Sequence, residues 1–241
     1  MTIFPNLVVL TGAGLSAPSG VPTFRDANGL WQNHSIDDVC DFSTWKKNAL
    51  LVHDFYNQLR SGLTQVKPNA AHDAIADWSH TYGESCDVFT QNVDDLCEAA
   101  GTREVTHVHG ELTRMQCTSC KHTWSVGYRP WTYGEDACEK CGHKTAVKPG
   151  VVFFNEHAPA YARLMMTFRQ LHERSMVIIM GTSGSVVDVS SLVYGVPGVK
   201  ILNNLEPSVN INEHLFDHVF YESAHTAVEK IDLLVKAHMA S

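Results

Sequence analysis

Four of the seven cysteines form two Cys-x-x-Cys pairs, Cys117 with Cys120 and Cys138 with Cys141, separated by residues 121–137. Two knuckles at that spacing suit a tetrahedral zinc site of four thiolates, and cysteine at every position leaves no place for water or substrate, so the metal is expected to be structural. The remaining Cys40, Cys86 and Cys97 are scattered, and an odd count without an export signal argues against a disulfide framework. Trp124, Tyr128, Trp131 and Tyr133 around the knuckles allow an alternative in which a zinc ribbon stacks on nucleic-acid bases. A formal charge of −8 disfavours it.

A second group of residues suggests a nucleotide. Gly12-Ala13-Gly14-Leu15-Ser16-Ala17 matches the Gly-x-Gly-x-x-Gly/Ala turn, whose small residues let backbone approach a pyrophosphate at a helix N-terminus. Alone, the motif is equally compatible with a tight turn that binds nothing. The acidic residue that dehydrogenases carry about 20 residues later is missing, because the next convincing strand starts near Asp87, so a hydride-transfer unit is disfavoured. Further on, Thr90-Gln91-Asn92-Val93-Asp94 and His107-Val108-His109-Gly110 each end an apolar run, where α/β sheets bind ligands. Gly110 lets the chain turn directly after His109 and leaves that imidazole at a crevice rim, able to act as a base near its ordinary pKa of ~6.5. His107 reads better as a hydrogen-bonded structural residue.

These residues need a sheet to hold them. Apolar runs at Asn6 to Thr11, Asp87 to Gln91, Glu104 to His109, Val151 to Phe154, Met176 to Thr182, Val199 to Asn203 and His218 to Tyr221 alternate with helical patterns. The helical patterns include Ala70 to Trp78, Tyr161 to Arg174 and Thr226 to His238. The expected fold is α/β, a Rossmann-like, mainly parallel sheet with helices on both faces. Residues 1–28, 64–113 and 146–241 would make this nucleotide-binding domain, while a helical insertion, 29–63, and the zinc-binding module, 114–145, would form a smaller domain. The 241 residues, 44% hydrophobic and 18% charged, suit such a globular chain. No run approaches the ~20 apolar residues of a membrane span, and Met1 to Leu10 lacks Lys or Arg, so the cytoplasm is expected, with no membrane and no direct nucleic-acid partner.

Over almost its whole length the chain resembles the sirtuins, NAD-dependent protein-lysine deacylases. Gly12-Ala13-Gly14-Leu15-Ser16 with Ser19-Gly20-Val21-Pro22 and Phe24-Arg25 is similar to the family's first NAD loop, and Thr90 to Asp94 to its second. His109-Gly110 resembles the catalytic His-Gly, followed in family order by the four cysteines, Gly181-Thr182-Ser183 and Asn204-Leu205-Glu206. The resemblance implies NAD as co-substrate, one structural zinc and acyl-lysine proteins or peptides as partners. In the implied reaction the amide oxygen displaces nicotinamide from the ribose, His109 is the base that activates a ribose hydroxyl, and Asn92 orients the ribose and its water. Asp94 and Val93 would hold the nicotinamide carboxamide. Gly12, Ala13, Gly14 and Arg25 would lie along the pyrophosphate and ribose, with Ser16, Phe24 and Gln91 also binding the cofactor. Gly181, Ser183, Asn204 and Glu206 would hold the adenosine half, and Thr182, Leu205 and Ala224 would also bind the cofactor.

The resemblance also implies that the peptide lies as an added strand between Val152-Phe153-Phe154-Asn155-Glu156 and Ser185-Val186-Val187-Asp188. Asn155 stands where the family usually has Gly and Asp188 where Pro is common; Asp188 would either attract a basic flanking residue or be a solvated loop carboxylate. The segment His53 to Arg60 is similar to the desuccinylase-type helix that carries Tyr-x-x-Arg, with Tyr56 present but Leu59 in the Arg position and Cys40 replacing a small Ala. Arg60, on the other side of Tyr56, is expected to be solvated, so acetyl and other short neutral acyl groups should be preferred over succinyl. Two other readings of the same residues stay open here, an NAD glycohydrolase or ADP-ribosyltransferase and a non-catalytic NAD-sensing zinc protein.

Overall fold

A computed structural model of the chain describes residues 6–23 and 34–240. Phe24 and Arg25 lie outside the described residues. In chain order the elements are β1 (Asn6–Thr11), α1 (Ile36–Val39), α2 (Ala49–Gly62), α3 (Ala70–Tyr82), β2 (Cys86–Thr90), α4 (Leu96–Ala99) and β3 (Val105–His107). Then come β4 (Gly110–Cys117), β5 (Thr123–Ser125), β6 (Val147–Val151), α5 (Ala160–Arg169), β7 (Ser175–Met180), α6 (Val189–Val193), β8 (Val199–Asn204), β9 (His218–Tyr221) and α7 (Ala224–Met239).

Six strands form a wholly parallel sheet in the order β3-β2-β1-β7-β8-β9. Because successive side chains of a strand point to opposite faces, β1 feeds two cores at once. Leu7 and Val9 pack with Ile75 and Trp78 of α3 and Val228 and Ile231 of α7, while Val8 and Leu10 pack with Leu164 and Phe168 of α5 and Leu192 of α6. Burying each such side chain contributes about 1.5–3 kcal/mol, which makes β1 the spine of the sheet. The start of α3 is fixed locally: the Asn69 side chain accepts from the Ala71 amide at 3.0 Å, and the Asn69 amide donates to His72 Nδ1 at 3.2 Å.

Two expected elements differ. The run Val151 to Phe154 is not a strand of the parallel sheet; the strand is β6, Val147–Val151, and it pairs antiparallel with β4 in a three-stranded sheet of order β5-β4-β6. An apolar run of strand length says nothing about which sheet takes it, and here Val151, Phe153 and Leu112 are claimed by the apolar face of α2. Helix α5 stops at Arg169 rather than continuing to Arg174, because the His172 amide donates to Ser175 Oγ and the Arg174 amide to His172 Nδ1, local bonds that replace the helical ladder.

The small sheet carries the cysteines and is built around Met115, Trp124, Trp131 and Val147. It starts at Gly110, whose φ of +78° and whose approach to the Gly150 carbonyl, 2.1 Å from where a Cβ would stand, exclude any side chain. Among the described residues no helix is long and apolar enough to cross a membrane.

Candidate active site

The sheet reverses its winding between β1 and β7, the place where open α/β sheets leave a crevice outside their carboxyl ends. The turn after β1 and the turn after β7 meet there: the Gly12 amide donates to the Met180 carbonyl at 2.9 Å and the Gly14 amide to the Gly181 carbonyl at 2.8 Å. A Cβ on Gly12 would lie 2.7 Å from the Gly181 oxygen and one on Gly14 2.7 Å from the Gly181 Cα. The glycines are thus dictated by contact between the two loops, which leaves the backbone bare toward a cavity of about 1360 Å³. That cavity is lined by every described residue expected to hold the cofactor, from Gly12, Ala13 and Gly14 to Ala224, by His109, and by the peptide-flanking segments except Val187 and Asp188.

Beneath the first loop lies a buried polar cluster. Asn92 Nδ2 donates to Ser16 Oγ at 3.0 Å, and His72 Nε2 reaches the same oxygen at 3.3 Å; His72 Nδ1 accepts from the Asn69 amide, so Nε2 carries the hydrogen. Burial pushes His72 down to about 4, which keeps it neutral in this role. Burial raises the Asp94 carboxyl, against the pull of the Leu96 amide at 3.1 Å and the Ser16 hydroxyl. Gln91 ties the second loop to the turns on either side, its amide donating to the Thr11 carbonyl at 2.9 Å and its Nε2 to Thr182 Oγ1 at 3.0 Å. The adenosine-side residues close the far wall, with Asn204 buried and Leu205 and Glu206 exposed.

His109 and His107 part ways. His107 Nδ1 donates to the Asn92 carbonyl at 2.9 Å and Nε2 meets Glu98 at 2.8 Å, a bracing role. Burial lowers its pKa, but the Glu98 carboxylate outweighs this and the group is raised. His109 lines the cavity, with Nδ1 2.9 Å from the Gln91 carbonyl and Nε2 2.9 Å from the Tyr161 hydroxyl. A carbonyl only accepts, so Nδ1 carries the hydrogen and Nε2 presents its lone pair. Burial lowers its pKa below the usual histidine value, which suits a neutral base at physiological pH.

At the other end, Val152 donates its amide to the His109 carbonyl and Phe154 to the Cys40 carbonyl, both at 2.8 Å. Asn155 takes the left-handed conformation, φ +62°, that asparagine tolerates better than most residues, and its side chain donates to Asp41 Oδ2 at 2.6 Å. Glu156 accepts from the Phe153 amide at 2.9 Å and pairs with the buried Lys148 at 3.0 Å. Val186 faces the cavity, 52% exposed, whereas Asp188 caps α6 by accepting from the Ser191 amide at 2.9 Å. Asp188 is therefore engaged with its own helix.

Tyr56, Leu59 and Cys40 line the same end. The Tyr56 hydroxyl is buried with the Cys40 sulfur as its polar neighbour and no nitrogen or oxygen partner among the described residues; burial raises its pKa, and Cys40 adds to the effect. Arg60 corrects the expectation of a solvated side chain: it is 0% exposed and turns away from the cavity. Its Nε donates to the Leu112 carbonyl at 2.7 Å and its terminal nitrogens reach Asn57 Oδ1 at 2.8 Å, the Met115 sulfur at 3.3 Å and the Arg129 carbonyl at 3.4 Å. Neutral acceptors fill the guanidinium fork, so burial needs no carboxylate; burial and the Arg129 charge lower it to about 10, which leaves it cationic.

The four cysteine sulfurs lie within 4.8 Å of one another, with Cys117 to Cys141 at 3.6 Å and Cys120 to Cys138 at 3.7 Å. Zn–S bonds of ~2.3 Å in a tetrahedron put sulfurs ~3.8 Å apart, so this donor set fits zinc. Trp124 and Trp131 are buried in the core beside it, and the Tyr128 hydroxyl donates to Asp95 at 2.6 Å. Trp124 and Trp131 thus serve packing, and Tyr128 ties the module to Asp95. Sequence reasoning missed Tyr161 and Asn203 on the cavity wall. Asn203 stood at a strand end beside Asn204, a usable signal; Tyr161 sat inside a helical pattern and gave none.

With this geometry in hand, comparison with known proteins is specific. The Sir2 family profile matches residues 12–188. The chain is similar to an NAD-dependent protein deacylase of Campylobacter jejuni, 41% identical over 234 residues covering 97% of both chains. It is also similar to an NAD-dependent protein deacylase of Trypanosoma brucei brucei, 39% identical with 93% of each chain covered. Among solved structures, a Sir2 homologue in complex with NAD superposes with a TM-score of 0.82 at 31% identity, covering 97% of this chain and 90% of the other.

Proposed function

The chain belongs to the Sir2 family, and from that premise we propose that it is an NAD-dependent protein-lysine deacylase that favours acetyl and other short neutral acyl groups. The observation that carries this reading is that His109, the two glycine-bearing loops and the segment Val152 to Glu156 border a single cavity.

NAD, as co-substrate, supplies a ribose hydroxyl that takes the acyl group while nicotinamide leaves. Gly12, Ala13 and Gly14 run along the pyrophosphate. Asn92 orients the ribose and the water used later, its side chain held by Ser16. Asp94 and Val93 hold the carboxamide. Gly181, Ser183, Asn204 and Glu206 take the adenosine half, the Glu206 carboxylate binding ribose hydroxyls. His109 removes the proton of the attacking hydroxyl through Nε2, the nitrogen left unprotonated because Nδ1–H donates to the Gln91 carbonyl. The peptide adds as a strand beside Val152 to Glu156 and Ser185 to Asp188. Its acyl group extends toward Tyr56, Leu59 and Cys40, where no cation lines the cavity among the described residues. Protein acyl-lysines are the partner class, the four cysteines hold a structural zinc, and a Rossmann-like domain and a small zinc-containing domain meet at the cleft.

The test is to incubate the protein with NAD and an acetyl-lysine peptide and identify the products by mass. Deacetylated peptide, nicotinamide and O-acetyl-ADP-ribose in equal amounts are expected. Nicotinamide released at the same rate without peptide would point instead to a glycohydrolase.

A further inference from the structure

Among the described residues His109 has no acidic partner. In many histidine bases a carboxylate stabilises the imidazolium that forms when the proton arrives, but here Nδ1 faces the backbone carbonyl of Gln91. The only side chain on Nε2 among the described residues is Tyr161, in the first turn of α5, with its hydroxyl at 2.9 Å and the ring centroids 5.9 Å apart at 37°. Tyr161 also lines the cavity.

A phenol can donate or accept by rotating one torsion. Beside neutral His109 it donates to the Nε2 lone pair; beside imidazolium it accepts from Nε2–H. We propose that Tyr161 is a positioning residue for the base: its hydroxyl covers Nε2 before the ribose hydroxyl arrives, and receives the hydrogen bond of the imidazolium once the proton has moved. No proton leaves the pair in this step. The bond between the ribose oxygen and its hydrogen breaks, the Nε2–H bond forms, the ribose oxygen keeps the electron pair with which it attacks the acyl carbon, and the phenol only turns.

The sign of the effect follows from the charges. Hydrogen bonds to an ionised group are roughly twice as strong as neutral ones, so the phenol stabilises imidazolium more than imidazole and makes His109 a stronger base than burial alone would leave it. Burial lowers the His109 pKa and the Gln91 carbonyl raises it, and no charged group adds to these two influences. The other titratable groups on the cavity wall are Asp94, Glu156, His157, Glu206 and Glu222, with Cys40 and Tyr56 at the acyl end. Burial raises the Tyr161 phenol, so it stays protonated throughout.

The proposal rests on the deacylase reading only for its kinetic part, and two measurements separate them. First, the His109 ring is titrated by NMR in the NAD-free protein, wild type against Tyr161→Phe. The variant should titrate lower by roughly half a unit to one unit, the size expected for losing one charge-assisted hydrogen bond in a partly solvated cleft. An unchanged or raised value overturns the proposal whatever the enzyme does. Second, O-acetyl-ADP-ribose formation should fall roughly three- to tenfold in Tyr161→Phe, with the acidic limb of kcat/KM moved the same way. Exchange of labelled nicotinamide into NAD, which precedes the base, should stay within about twofold. Equal loss of exchange and product formation would mark Tyr161 as merely structural and overturn the proposal. If Tyr161→Phe melts well below wild type, 3,5-difluorotyrosine at 161 replaces it: a better donor and poorer acceptor in the same packing, it must also lower the His109 titration. Wild-type protein that fails to deacylate any acyl peptide sinks the functional reading while leaving the titration result standing.

Discussion

Leu59 and Arg60 are consecutive on α2 and serve different parts of the molecule: Leu59 borders the cavity, whereas Arg60 is wholly buried with its Nε 2.7 Å from the Leu112 carbonyl. Arg60 therefore cannot meet an acyl tail without breaking the seam between α2 and the small sheet. Leu59→Arg places a cation at the acyl end and should raise kcat/KM for succinyl peptide roughly tenfold to a hundredfold, the worth of a charge-assisted hydrogen bond of about 1.5–3 kcal/mol. The check is kcat/KM on matched acetyl and succinyl peptides. Efficient desuccinylation by the unaltered protein would refute the preference.

Arg60→Met should act on stability and not on selectivity. It strips the Leu112 carbonyl of the Arg60 donor and leaves Asn57 Oδ1 with the Trp131 amide alone, a loss of about 2–4 kcal/mol for a buried charged partner. Thermal melting should fall accordingly, with the acetyl-to-succinyl ratio unmoved. A changed ratio at wild-type stability would return Arg60 to the acyl pocket.

His109→Ala should lower deacylation by roughly two to four orders of magnitude, the usual span of general-base effects, while NAD binding survives. Because burial depresses the His109 pKa, the acidic limb of kcat/KM in wild type should lie below pH 6.5. A variant that folds normally but cannot bind NAD, measured by calorimetry, would make His109 a cofactor anchor instead.

Removing the metal should loosen more than the knuckles. Helix α2 is docked on the cysteine-bearing sheet by side chains that satisfy its carbonyls: His53 to Val147 at 3.0 Å, Asn57 to Trp131 at 2.9 Å and Arg60 to Leu112. Since the same helix carries Tyr56 and Leu59, Cys138→Ser should lower both melting temperature and deacylase activity. Metal-free protein that keeps both would show that the module is held without zinc.

What was legible in the sequence was whatever local chemistry dictates. Uninterrupted apolar runs gave β1 and β7, the paired cysteines gave the metal site, and Gly12, Gly14 and Gly110 gave turns that no other residue could make. What stayed hidden depended on partners distant in the chain. Nothing near Val151 says that β4 rather than the parallel sheet takes the strand, and nothing near Arg60 says that the carbonyls of Leu112 and Arg129 await it. Tyr161 was invisible for the same reason, since its significance lies in a histidine 52 positions away.

The α2 seam also sets the response to acid. His53 is buried, its Nε2–H donating to the Val147 carbonyl and its ring stacked on Tyr133 at 5.2 Å. Burial first, and the Arg60 charge besides, push its pKa down to about 4, and burial does the same to His72. Unfolded histidine titrates near 6.5, so between about pH 6.5 and 4 the unfolded chain binds more protons than the native one and stability is lost as pH falls. A depression of this size contributes at most about 3 kcal/mol per histidine. His107 works in the opposite sense, because the Glu98 carboxylate overcomes burial and raises it; its contribution is present below pH 6.5 and fades as pH rises through its folded value. Urea unfolding at pH 7.5, 6.5, 5.5 and 5, above most carboxylate titration, should therefore show a decline on the acid side. Replacing His53 with Gln keeps a donor toward Val147 but removes the titration. The decline should then be shallower by about 1.4 kcal/mol per pH unit at most, the slope of one proton. An identical decline in both proteins would mean that His53 is protonated in the native state or already neutral in the unfolded one, and that the seam between α2 and the small sheet is not what acid opens.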